Sequence, residues 1–196
     1  MRKVVAVELV SVDGVMQGLG SPEEDRDGGF AHGGWGAPYA GEVQELMDPG
    51  SLEATSAYLL GRRTYETMAA FWPFQPDENP LARHLNATPK HVASRTLSRL
   101  DWAGSTVIGG DLGRAVRELT GEGDGVITAL GSGVLVHALL RLGLVDELCL
   151  FVHPLLLGTG KRLLRELPAP RPLRLVQSAA SSGGTLLIRY ELGAAG

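Results

Sequence analysis

One cysteine in 196 residues rules out a disulfide framework within the chain, and a reducing cytoplasm is the expected compartment. That residue, Cys149, lies inside the apolar stretch LCLFV and reads as a small core side chain. Basic charge is in short supply. Eighteen Lys and Arg against 22 Asp and Glu leave a formal charge of −4, which argues against nucleic acid as the main partner, since backbone-phosphate binding needs a basic surface. No apolar run reaches the roughly 20 residues a membrane span needs. The opening MRKVVAVELVSVDG has a short apolar run that carries Glu8 and Asp13, and it reads as a first strand rather than a signal peptide. The five histidines (His32, His84, His91, His137, His153) show no i, i+4 pairing and no CxxC partner, so no metal site is expected.

What is present is an ordinary globular composition, 44% hydrophobic and 20% charged, in a length that suits one domain over 1–196. Strands are expected at 3–10, 57–61, 90–94, 105–109, 125–130, 146–153, 173–180 and 185–191. Helices are expected at 40–48, 63–70, 80–87, 111–120 and 132–142. Strands and helices alternate up to Pro154, which argues for a largely parallel sheet covered on both faces. The last two strands flank Ser181-Ser182-Gly183-Gly184 and read as an antiparallel hairpin edge. The long irregular stretch 17–38 is rich in Gly and acidic residues. It has no evident core of its own and is expected to be a mobile lid.

The most informative segment runs from Val126 to Lys161. An apolar strand breaks at Gly131-Ser132-Gly133 and opens directly into a helix. A strand-to-helix turn of this kind presents free backbone N–H groups and the positive end of a helix dipole, which suits a phosphate. The design appears again at Gly61-Arg62-Arg63-Thr64, and a third strand ends at Ser94-Arg95. In open parallel sheets ligands bind at the carboxyl ends of the strands. The two glycine turns would hold a pyrophosphate, and Arg62, Arg63, Ser94 and Arg95 a further phosphate. The third glycine of the dinucleotide fingerprint is missing, and Gly158-Thr159-Gly160-Lys161 reads as a turn rather than a P-loop. The helix at 132–142 is apolar around most of its circumference; a thick core, or a second subunit packed there and beside LCLFV, would cover it. Phe30, Trp35 and Trp72 would wall a planar ligand or pack the core.

SVDGVMQG, LLGRRTYE, KHVASRT and LGSGVLVHALL…LVDELCLFVHPLLLGTGKRLL resemble the dihydrofolate-reductase-like family. The branch is that of the reductase domain of the riboflavin-biosynthesis deaminase–reductase, though the zinc-binding pattern of the deaminase half is absent. The resemblance implies a three-layer α/β fold, a homodimer and NADPH as cofactor. It places Gly61, Arg62, Arg63 and Thr64 at the cofactor phosphates and Ser94 and Arg95 at the adenosine 2′-phosphate. Gly131, Ser132, Gly133, Val134 and Leu135 fall under the pyrophosphate and nicotinamide ribose, and Met16 and Gln17 in a lid stretch beside the nicotinamide. The expected reaction is hydride transfer to a C=N or C=O bond of a small heterocycle, pterin-like or ribosylaminopyrimidine-like. Asp13 is the first candidate for a polar group at the transfer site, with Glu42 and Glu45 behind it. A genuine folate or pterin reductase and a non-catalytic nucleotide-binding module are the alternatives.

Overall fold

Largely apolar runs of four to nine residues build the sheet, and helices return the chain between them. In the computed structural model, which describes residues 1–165 and 167–193, the eight strands form one sheet in the order β4-β3-β2-β5-β1-β6-β8-β7. The chain divides into two compact units that share β1 (Lys3–Ser11), split between Ala6 and Val7.

The first unit, 1–6 and 48–145, carries the parallel strands β2 (Thr55–Gly61), β3 (Lys90–Ala93), β4 (Ser105–Ile108) and β5 (Val126–Leu130). Its helices are α2 (Pro49–Ala54), α3 (Arg62–Ala69), α4 (Pro80–Ala87), α5 (Leu112–Gly121) and α6 (Gly133–Arg141). Tyr58, Leu60, Tyr65, Leu85, Val92 and Trp102 form a buried core, against which Trp72 packs. The second unit, 7–47 and 146–193, carries α1 (Ala40–Leu46) and the antiparallel strands β6 (Glu147–His153), β8 (Leu186–Leu192) and β7 (Leu173–Ala180), in that spatial order. Phe30 and Trp35 are buried with Val15 in this unit, so the three aromatics proposed as ligand walls pack in separate cores.

The expected elements are all present, with ends shifted by one or two residues. The helix α2 was not expected. Six residues are too few to show a period, and its signal is the Asp48-Pro49 pair: the Asp48 side chain accepts from the N–H groups of Gly50 and Ser51, and Pro49 starts the helix. The helix α6 is covered by its own chain along Leu135, Val136, Leu139 and Leu140, leaving Val134 and Leu142 outward.

One charge lies inside the first core. Lys90 is fully buried; its ammonium donates to the carbonyls of Leu85 (2.7 Å), Thr88 (2.8 Å) and Asn86 (3.3 Å) and lies 4.6 Å from the centre of the Trp102 ring. It closes the carboxyl end of α4, where the last carbonyls have no helical partner. Lys90→Met would strand these carbonyls, and a loss of about 2–4 kcal/mol is expected in urea unfolding. Burial pushes the ammonium down to about 8 from 10.5. Between those values the unfolded chain holds a proton that the folded chain has released. Stability should therefore rise with pH across that window in the wild type relative to Lys90→Met.

Candidate active site

β2 pairs with β5 in parallel, Leu60 beside Leu130, so the turns after the two strands emerge side by side. They touch. A Cβ on Gly61 would overlap the Ser132 side chain, and one on Gly131 would come within 3.1 Å of Thr64 Cγ2. Gly131 (φ +56°) and Ser132 (φ +63°) both take the left-handed conformation before α6 begins. That conformation is not taken by Gly133. It lies at 131 and 132, because Gly133 is already the first helical residue.

β3 continues the arrangement, with Gly61 beside Ala93, so Ser94 and Arg95 leave the sheet next to the α3 turn. Gly61, Arg62, Arg63, Thr64, Ser94, Arg95, Gly131, Ser132 and Gly133 thus gather at three adjacent strand ends. Among the first unit's helices, α2, α4 and α5 open on Asp48, Asn79 and Asp111, whose side chains accept first-turn N–H groups. α3 and α6 have no side-chain cap. The first-turn N–H groups of a helix have no partner within the helix itself, and here no N-cap side chain supplies one. Arg62 is held by Glu66 at 3.0 Å. Ser94 accepts from the N–H groups of Thr96 and Leu97, which leaves its own hydroxyl proton to donate. Arg95 is exposed. Leu135 is buried beneath the turn and Val134 points outward, so Leu135 supports the turn from the core rather than facing a ligand.

In the second unit the expected polar groups are engaged in holding loops. Asp13 accepts from Ser11 Oγ (2.7 Å), Leu157 N (3.1 Å) and Gly158 N (2.9 Å), and Arg162 lies 3.6 Å away. The Ser11 hydroxyl, followed by the Leu157 N–H, brings its pKa down to about 2. At neutral pH Asp13 has no proton to give; it is a clamp between the end of β1 and the 157–158 turn. Gln17 is buried, with its amide donating to Asp25 and Asp27 and its oxygen accepting from Lys161 N at 2.9 Å. That leaves no side-chain donor for a cofactor. Met16 is half-buried, and its backbone N–H is bound to the Lys161 carbonyl.

The 17–38 segment has the core that the sequence reading denied it. Phe30 and Trp35 pack on Val15, the Trp35 indole donates to the Gln17 carbonyl at 2.7 Å, and Lys161 Nζ bridges Asp25 (2.6 Å) and Asp27 (2.7 Å). Asp25 and Asp27 hold the lysine, Glu24 accepts from the N–H groups of Gly20 and Ser21, and Glu23 pairs with Arg26, so the segment is tied down rather than open. Glu42, half-buried, and Glu45, exposed, are likewise engaged by a loop. Glu42 accepts from Ser181 Oγ (2.7 Å) and Thr185 N (2.9 Å), and Glu45 from Ser182 N (3.0 Å) and Ser182 Oγ (2.9 Å), so the first turns of α1 fasten the β7–β8 turn.

A residue not singled out from sequence completes this cluster. His153 is fully buried, stacked on Tyr39 at 4.7 Å with Trp35 edge-on, and its Nδ1 lies 3.0 Å from Thr185 Oγ1. The Thr185 hydroxyl is the first cause, before Ser181, of a Glu42 pKa below the usual carboxylate range. Thr185 thus joins Glu42, through its backbone N–H, to the His153 Nδ1, while the buried Nε2 has no hydrogen-bond partner among the described residues. The signal available in the sequence was a histidine ending an otherwise apolar strand.

Residues 2–187 match the RibD C-terminal domain. The chain belongs to the RibD C-terminal domain family. The uncharacterized protein YyaP of Bacillus subtilis is 28% identical over 154 residues, 74% of this chain and 81% of its own length. Among solved structures, a putative riboflavin biosynthesis protein from Shewanella sp. PV-4 superimposes with a TM-score of 0.70 at 18% identity, covering 97% of this chain and 99% of that one. A pyrimidine reductase-like protein from Corynebacterium diphtheriae gives 0.62 at 14% identity, covering 99% and 93%. Dihydrofolate reductase from Enterococcus faecalis, complexed with NADP(H) and RAB-propyl, gives 0.60 at 15% identity, covering 97% and 96%. The fold of this RibD C-terminal domain is therefore dihydrofolate-reductase-like. Among the described residues no cluster of metal-ligating side chains occurs, and no helix is long and apolar enough to cross a membrane.

Two outcomes test this reading of the second unit. Lys161→Met removes the cation that both Asp25 and Asp27 hold, and limited proteolysis should then nick the 18–34 stretch at least several-fold faster than in the wild type. Burial lowers the pKa of His153 from its ordinary 6.5, so just below pH 6.5 the unfolded chain binds a proton that the fold refuses. Stability should therefore drop as the pH is lowered through that region, and His153→Phe, which keeps a ring but cannot be protonated, should flatten that part of the curve.

Proposed function

We propose that this RibD C-terminal domain is an NADPH-dependent reductase that transfers hydride to a C=N or C=O bond of a small flat heterocycle of the pterin or ribosylaminopyrimidine kind. Family and fold support a reductase-type role. The observation that carries the cofactor assignment is the pair of uncapped helix starts, α3 and α6, in contact at adjacent strand ends. An anionic diphosphate complements such donors, and Gly61 and Gly131 keep the backbone free of side chains at that point. When bound, NADPH supplies the hydride. The chain binds and orients it, with the α3 and α6 turns on the pyrophosphate and Ser94 and Arg95 on the adenosine 2′-phosphate.

The engagement of Asp13, Glu42 and Glu45 in loop contacts favours a second reading, a nucleotide-binding domain without turnover. Titration with NADPH and NADH, followed by assay of NADPH oxidation with dihydrofolate, pterins and ribosylaminopyrimidines, separates the two. Oxidation with at least one substrate supports the reductase; tight binding without oxidation of any supports the second reading. Two charge-assisted hydrogen bonds to the 2′-phosphate contribute roughly 3–6 kcal/mol before screening. At an exposed site that leaves a preference for NADPH of about ten- to a thousandfold. Arg95→Ala should weaken NADPH far more than NADH, and added salt should narrow the gap. Equal affinities in the wild type would remove the 2′-phosphate assignment.

A further inference from the structure

Two arginines stand at adjacent strand ends of the first unit, and their charges are not equally available. The side chain of Arg95, after β3, is exposed and makes no hydrogen bond or ion pair among the described residues. Arg62, the first residue of α3, is held by Glu66 one turn further on. Its Nη1 lies 3.0 Å from one carboxylate oxygen and 3.1 Å from the other. Both side chains are a little under half exposed. Nε and Nη2 of Arg62 have no hydrogen-bond partner among the described residues, so one edge of the guanidinium stays open while the other is occupied.

The stability of α3 does not account for this pair. The start of a helix is its positive end, where a cation is disfavoured, and arginine ahead of glutamate is the weaker order of an i, i+4 pair. α3 has neither a side-chain cap nor an acidic residue in its first turn to offset the arginine. A positive charge is thus placed where the helix disfavours it, beside the second uncapped start at Ser132, and one carboxylate is set against it. A pair of the same order occurs in α5, Arg114 with Glu118. There the closest approach is 3.9 Å, both side chains are mostly exposed and Asp111 caps the helix.

We propose that Glu66 sets the affinity of the anion site by competing with the cofactor diphosphate for Arg62. This role rests on the reading of the α3 and α6 turns as the diphosphate site. An anion reaching Nε and Nη2 meets a guanidinium whose charge is already partly balanced by the carboxylate on Nη1. Both nicotinamide cofactors carry the diphosphate, so Glu66 lowers both affinities alike and leaves the preference for NADPH to Ser94 and Arg95. The two arginines then divide the task. Arg95, without a partner, selects the 2′-phosphate; Arg62, paired, limits the strength with which either cofactor is held.

The test is titration of the full chain with NADPH, NADH and inorganic pyrophosphate. Glu66→Gln keeps the shape of the side chain and removes its charge. It should tighten all three by a similar factor, about two- to fivefold, the scale of an exposed ion pair, with an unchanged circular dichroism spectrum. The gain should shrink in about 1 M salt, where charges are screened within roughly 3 Å. Glu118→Gln, which removes the acid of the α5 pair, should change no affinity. In an Arg62→Gln chain, Glu66→Gln should bring less than half of the gain; a full gain there makes Glu66 a repelling charge only and overturns the competition. Unchanged or weaker binding in Glu66→Gln overturns the proposal and leaves the cofactor site standing. A gain for NADPH alone overturns it too, because Arg62 then meets the 2′-phosphate. If neither cofactor nor pyrophosphate binds the wild type or Glu66→Gln, the diphosphate reading falls and the role of Glu66 with it.

Discussion

The close approach of two strand-to-helix turns is the constraint on which the first unit depends. Parallel strands paired in register end at the same level, so whatever follows β2 must share space with whatever follows β5. The chain meets this with Gly61, which leaves room for the Ser132 side chain, and with two successive left-handed residues that steer α6 away from the sheet. A non-glycine residue in that conformation carries a penalty, and Ser132 tolerates it because its side chain is seated over Gly61. The result is two helix starts, side by side, with first-turn donors that no side chain of the cap takes up.

The second unit follows another logic. Its carboxylates are used as acceptors for backbone and hydroxyl donors of neighbouring loops: Asp13 for 157–158, Asp25 and Asp27 for Lys161, Glu42 and Glu45 for the hairpin turn. Each bond of this kind stabilises the anion, which is why Asp13 and Glu42 titrate below their ordinary range. A carboxylate bound this way is a good strut and a poor acid. The hub of the cluster is a neutral imidazole, His153, linked through Thr185 to Glu42.

Strands and long helices were legible from the sequence because hydrophobic period and flanking glycines report local geometry, and the strand ends Gly61, Ser94 and Gly131 came together because parallel order follows from alternation. Side-chain function in the second unit was not legible. Whether Glu42 faces water or Ser181, and whether Gln17 faces a ligand or Asp25, depends on partners more than a hundred residues away in the first case and on the path of an irregular loop in the second. Neither has a period. The same holds for the packed 17–38 loop: its acidic residues look like a solvated run until Lys161, 136 residues from Asp25, is placed among them.

Two glycine-bearing turns in this chain look alike on paper, and the structure separates them by one criterion. At Gly158-Thr159-Gly160-Lys161 the backbone donors are already spent: Gly158 N–H goes to Asp13 and Lys161 N–H to Gln17 Oε1. The site that would hold an anion is filled by the chain's own acceptors, and glycine there serves a tight turn. At Gly131-Ser132-Gly133 and again at Gly61-Arg62 no side chain caps the helix, although the same unit caps α2, α4 and α5 with Asp48, Asn79 and Asp111. Capping contributes about 1 kcal/mol per helix; at α3 the approach of Ser132 leaves no room for a side chain at position 61, and at α6 the N-cap residue Ser132 is left-handed. Two adjacent helices at the carboxyl edge of a parallel sheet thus start without a capping side chain, which is the feature that supports the proposed anion-binding reading. The spending of backbone N–H groups, rather than the presence of glycine, separates the Gly158 turn, closed on the chain's own acceptors, from the two helix starts that no side chain caps.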